Sequence, residues 1–93
     1  MKLIIRAEAQ ADLREIAEYI ARDNPARAQS YAAELAAKIR IVAERPLSFP
    51  ARESWGPGLR SASHGNYQIV FRIQDETVWV LRVLHGARDL QRC

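Results

Sequence analysis

The sequence predicts an α+β fold, a helical hairpin packed on one face of an antiparallel sheet, with elements in the order β-α-α-β-β-β. Three observations predict it. Residues 78–84 are almost continuously apolar and rich in β-branched types, without helical spacing, which reads as the central strand of a small sheet. Two stretches with apolar residues at helical spacing are separated only by Asp23-Asn24-Pro25, which predicts two antiparallel helices. Residues 59–63, 67–73 and 78–84 are joined by turn-forming residues at His64-Gly65-Asn66 and Asp75-Glu76, which predicts a meander.

Taken in order, residues 2–6 read as a short strand. The first helix is expected over residues 8–22, with Leu13, Ile16, Ala17 and Ile20 on one stripe. Glu8, Asp12 and Glu15 crowd its first half and Arg22 lies in its last turn, as the helix dipole prefers. Asn24 suits an N-cap and Pro25 the first helical position. The second helix is expected to reach Glu44, with Ala28, Tyr31, Ala32, Leu35, Ile39 and Val42 on its stripe. Pro46, Pro50 and Pro57 make residues 45–57 a loop, pinned to the domain by Phe49 and Trp55. No repeat, low-complexity tract or linker divides the chain, so residues 1–93 are read as one domain.

Register follows from keeping charge out of the core. The alternation Tyr67, Ile69, Phe71, Ile73 marks the helix-facing side of its strand. Pairing Ile69 with Val83 and Phe71 with Leu81 sets Arg82 beside Val70 on the other side. The same rule pairs Leu59 with Phe71 and sets Arg60 beside Val70. The expected outer face is Gln68, Val70, Arg72, Val80, Arg82 and Leu84, bordered by Arg60. An open face carrying Arg60, Val70, Arg72 and Arg82 reads as a binding surface.

Composition narrows the function. The formal net charge is +3, and all of it lies in residues 45–93, which hold seven arginines against four acids. Arginine offers a planar fork to carboxylate and phosphate, so an acidic protein or a nucleic acid suits the chain as partner. The single cysteine, Cys93, excludes an internal disulfide, and two histidines beside it make no zinc set. The four glycines lack the spacing of a phosphate or dinucleotide loop, so no metal, nucleotide or other cofactor is expected. The apolar run at residues 3–5 is too short for a signal peptide or a span, which reads as a soluble cytoplasmic protein without a membrane partner.

One enzymatic chemistry fits the residues present, metal-free RNA cleavage. Arg60, Arg82 and Arg88 would serve as cations on the phosphate, His85 as the group titrating near neutrality, and Tyr67 as a helper. A plainer reading stands beside it. His85 is then a turn histidine bonded to backbone, the arginines pair with an acidic partner segment, and Asp89 orients Arg88. Glu8, Asp12, Glu15 and Glu18 read as helix-surface carboxylates, solvated or in local ion pairs.

The pattern Asp12-Leu13, Ile16, Tyr19-Ile20-Ala21, Asn24-Pro25, Ala28, then Gly58-Leu59-Arg60, then residues 65–72 and 81–89, resembles the ParE-type toxins of the wider RelE/ParE superfamily. The closing run Leu84-His85-Gly86-Ala87-Arg88-Asp89-Leu90 is its most specific part. The resemblance implies a toxin of a type II toxin–antitoxin, plasmid-stabilisation-like module that inhibits DNA gyrase without enzymatic activity. It implies neutralisation by a ParD-like antitoxin, for which the open face offers Arg60, Val70, Arg72 and Arg82 as the docking set, and the closing run offers His85, Arg88 and Asp89 for target binding. Specific DNA binding is expected only through the antitoxin complex. The RelE-like branch, ribosome-dependent mRNA endonucleases, is the alternative. Of the basic and tyrosine set that branch uses, Arg88 matches, whereas Gln68 follows the hairpin tyrosine, Gly58 stands in place of a lysine, and no tyrosine follows Arg88.

Overall fold

The computed structural model describes residues 1–86. Strand β1 (Lys2–Ile5) leads into helix α1 (Ala7–Ala21), and α2 (Pro25–Glu44) returns antiparallel to it. Two single 3-10 turns, Pro46–Ser48 and Glu53–Trp55, precede β2 (Arg60–His64), β3 (Tyr67–Gln74) and β4 (Thr77–His85). The order is the expected one. Asn24 caps α2 by accepting a hydrogen bond from the Arg27 backbone N–H at 3.0 Å, with Pro25 in the first turn.

The sheet runs β1-β4-β3-β2, so the apolar strand β4 is central, as its composition implies. The β2–β3–β4 meander is antiparallel, while β1 lies parallel to β4, which makes the sheet mixed. The core lies between this sheet and α2, with Leu35, Ile39 and Val42 against Ile69, Phe71, Val78 and Val80. Helix α1 contributes Ala9 and Ile16, with Leu13 and Ile20 partly buried beside them.

Register agrees at one end of β3–β4 and departs at the other. Ile69 lies opposite Val83 and Val70 opposite Arg82, as the exclusion of charge from the core requires. A bulge then intervenes, and Phe71 pairs with Val80 instead of Leu81. The extra residue restores alternation on the helix side, so Val80 is fully buried there and does not belong to the outer face. Leu81 is only half-buried. On the other flank Arg60 pairs with Phe71 and Ser61 with Val70, one residue out from the expected register.

The cause lies in the proline-containing loop. It makes a bridge between Ala51 and Arg60, with Ser61 N–H donating to the Pro50 carbonyl at 3.2 Å and Arg52 N–H to the Leu59 carbonyl at 2.7 Å. The loop thereby wraps the β2 edge. Phe49 packs edge-on against Phe71, at 6.1 Å between centroids. Arg52 reaches Ser61 on the opposite face, Nε to Oγ 2.9 Å. Trp55 does not pin the loop to the core; it stays partly exposed with the Arg52 guanidinium over its ring.

Candidate docking and target-facing sites

Arg82 interrupts an apolar strand, and the structure shows why it is tolerated. β1 ends at Ile5, so beyond Val80 the flank of β4 has no strand partner among the described residues and α1 runs alongside it. Asp12 occupies that flank. Its carboxylate accepts Arg82 Nε at 2.8 Å and Nη2 at 3.0 Å, a bidentate fork, and also the Val83 backbone N–H at 2.9 Å. The Asp12 side chain is 10% exposed and that of Arg82 49%. Asp12 is therefore neither a solvated nor a locally paired surface carboxylate, but the buried partner of an arginine seventy residues away. The signal was present in the sequence, since Asp12 shares the buried stripe of Ala9 and Ile16, and an arginine inside an apolar strand calls for an anion.

The four residues expected to meet an antitoxin do not form one row. Arg72 is exposed on β3 opposite Trp79. Arg82 is held by Asp12. Arg60 is half-buried at the start of β2, its Nη1 donating to the Phe49 carbonyl at 2.7 Å. Val70 is 5% exposed. The register shift at β2 takes Arg60 out of the expected row, while Val70 stays opposite Arg82 and Arg72 follows it on the same strand.

A second cluster gathers where α2 meets the β2–β3 turn. Arg27, Tyr31 and Glu34 recur at helical spacing on one face of α2. Glu34 accepts Arg27 Nη1 at 2.6 Å and lies 2.9 Å from His64 Nε2. Arg27 first, and then His64, hold the Glu34 carboxyl below the usual carboxylate range. The Tyr31 hydroxyl donates to the His64 carbonyl at 3.1 Å, and burial pushes that hydroxyl's pKa up. Gly65 allows this approach, because a Cβ there would lie 2.8 Å from the Tyr31 oxygen, and its φ of +57° suits glycine. Tyr67, 8% exposed, stands between Tyr31 and His85, with the His85 ring edge-on to it at 5.2 Å. The Gly86 N–H donates to the Asn66 carbonyl at 2.7 Å, tying the end of β4 to the same turn. Tyr67 and His85 are thus brought together, while Arg82 engages α1. Arg88 and Asp89 lie outside the described residues. Sequence reasoning missed the contribution of Arg27, Glu34 and His64.

Between α1 and α2, over β1, lies an apolar cavity of about 360 Å³ lined by Leu3, Ile5, Leu13, Ile20, Leu35 and Ile39, with Arg40 also lining it. Among the described residues no His, Cys, Asp and Glu group gathers to hold a metal, and no helix is long and apolar enough to cross a membrane.

The chain is similar to a chain of the chromosomal ParDE TA system from P. aeruginosa, with a TM-score of 0.81 and 20% identity, covering 91% of this chain and 95% of that one. It is also similar to a chain of the toxin-antitoxin complex RelBE2 from Mycobacterium tuberculosis, with a TM-score of 0.65 and 28% identity, covering 90% and 95%. No curated protein matches it. Residues 3–90 match the family described as the ParE toxin of type II toxin-antitoxin system, parDE. The chain belongs to the ParE toxin family.

Proposed function

We propose that this toxin acts in the cytoplasm by binding, inhibiting DNA gyrase without covalent chemistry until a ParD-like antitoxin occupies it. The observation that carries the antitoxin half is the open apolar cavity between α1 and α2, in a chain of the ParE family. An apolar recess with an arginine beside it suits an acidic, amphipathic segment that orders on binding. Arg40 is the cation at that recess; Arg72, exposed on the other face of the sheet, meets the segment where it leaves the recess, while Arg60 and Val70 act through the packing of β2, β3 and the loop and Arg82 through its fork with Asp12. The target-facing end is the Tyr67–His85 pair, with Arg88 and Asp89 following it in sequence. The residues after the hairpin tyrosine favour binding over RNA cleavage, since Gln68 follows Tyr67 and supplies no cation.

Purified toxin added to gyrase and relaxed plasmid should block supercoiling and accumulate cleaved gyrase–DNA complexes, and the ParD-like protein of the neighbouring reading frame should reverse both. Cleaved transcripts on translating ribosomes, with supercoiling unaffected, would overturn this reading. Arg72→Ala should weaken antitoxin binding by about two- to fivefold by calorimetry, in line with an exposed charge at an interface.

A further inference from the structure

The face of the sheet turned away from the helices carries cations at its β1 side with no acid between them. Leu3 and Ile5 line the cavity, so Lys2 and Ile4 take the opposite face. Arg6 continues the alternation, its N–H donating to the Val80 carbonyl at 3.0 Å. Ile4 lies beside Trp79 and Trp79 beside Arg72, one row across three strands. Ile4 is 40% exposed. Trp79 is half-buried, and its indole N–H is taken by the Gln74 carbonyl at 3.3 Å, which leaves the ring face for other contacts. Lys2, Arg6 and Arg72 are exposed, and none of them belongs to an ion pair among the described residues. Asp75 and Glu76 stand at the turn beyond this face, in a recess that Lys2 also lines.

We propose that this face binds double-stranded DNA without regard to sequence, with Lys2, Arg6 and Arg72 on phosphates and Ile4 and Trp79 against the groove between them. Lys2 and Arg6 are four residues apart, about 13 Å, and Arg72 lies two strands over, about 10 Å from β1. Duplex DNA holds phosphates at fixed positions on both sides of its grooves, so cations spread this widely each meet one. An apolar side chain between cations is also the pattern of proteins that enter the minor groove. An acidic peptide is the weaker occupant, because it must order a flexible chain to hold three carboxylates that far apart. A second copy would set like charges face to face. The proposal adds a contact to the function inferred above. Tyr67 and His85 lie five positions along the β3–β4 ladder from Arg72, about 17 Å, so a target enzyme and the DNA it works on can be engaged together.

Fluorescence anisotropy of a labelled duplex of about 20 base pairs, titrated with purified toxin in the absence of gyrase, tests this. Affinity should fall about fortyfold between about 50 and about 200 mM salt, the dependence of three phosphate contacts. Lys2→Ala and Arg6→Ala should each reduce that fall to about twelvefold, and they decide the matter because Arg72 also serves the antitoxin reading. Lys38→Ala, whose ammonium lies over the Phe49 ring on the helical side, should leave it at about fortyfold. In a Trp55→Phe background, Trp79 emission should change as the duplex binds. No binding at the lower salt overturns the proposal, and so does a salt dependence that both variants leave unmoved. Polyglutamate that displaces the duplex at equal charge gives the face to an acidic protein and overturns the assignment. Tighter binding of single-stranded RNA of the same length overturns it as well.

Discussion

At the scale of residues, the Asp12–Arg82 fork and the Asp75-Glu76 turn each make a direct prediction. Asp12 gives two acceptor positions to a guanidinium and one to the Val83 N–H, on the flank of β4 beyond the end of β1. Asp12→Ala removes the acceptor of three bonds at once. It should destabilise the toxin by about 1.5–3 kcal/mol, the range for hydrogen bonds involving a charged group, as a lowered urea midpoint with an unchanged slope. Asp12→Asn retains one acceptor and should fall between. The tight turn from β3 to β4 places Asp75 at φ 55° and Glu76 at φ 57°, the left-handed region at two non-glycine residues. Such a turn favours Asp-Gly. Glu76→Gly should therefore stabilise by about 1 kcal/mol and raise Tm by roughly 4–8 °C, measured calorimetrically.

At the scale of elements, capping and alternation were legible and hydrogen-bond topology was not. Asn24-Pro25 announced the start of α2, and its side chain makes the expected bond. Asn24→Ala should cost about 1 kcal/mol in denaturant unfolding, while Asn24→Asp should cost little. The apolar run of β4 correctly announced a central strand. Its register slipped because residue patterns count side chains, whereas the bulge beside Leu81 is a property of the ladder. Arg60 slipped for a different reason. The loop bridge at Ala51 fixes the start of β2, and a contact nine residues away in sequence leaves no mark on local alternation. The parallel position of β1 beside β4 was likewise unreadable, since four residues with one exposed isoleucine do not specify a neighbour. Asp12 was readable in hindsight, from its place on the α1 stripe.

At the scale of the whole molecule, the hairpin of helices is joined to the far end of the sheet by few polar contacts, and Glu34 is the hub of the charged ones. Its carboxyl is held below its ordinary range by Arg27 and His64. The folded state therefore gains stability from Glu34 above the ordinary carboxylate pKa, and loses it as pH falls through the lowered folded value. Thermal unfolding followed from pH 7 down to about 3 should show a fall in Tm that is shallower in Glu34→Gln than in the unaltered toxin. Most of the fold was visible from patterning because helix and strand periods are local. The candidate sites were visible only in part, because the docking residues depend on which strands meet. The loop wrapped around β2 has one more consequence, for behaviour in a crowded solution. A sheet polymerises end to end only if both margins accept a neighbour. With residues 50–52 seated on the first half of β2, the margin at β1 is the more open of the two among the described residues. Two copies that met there would each turn outward only the half-covered margin of β2, which works against growth of the toxin into fibres.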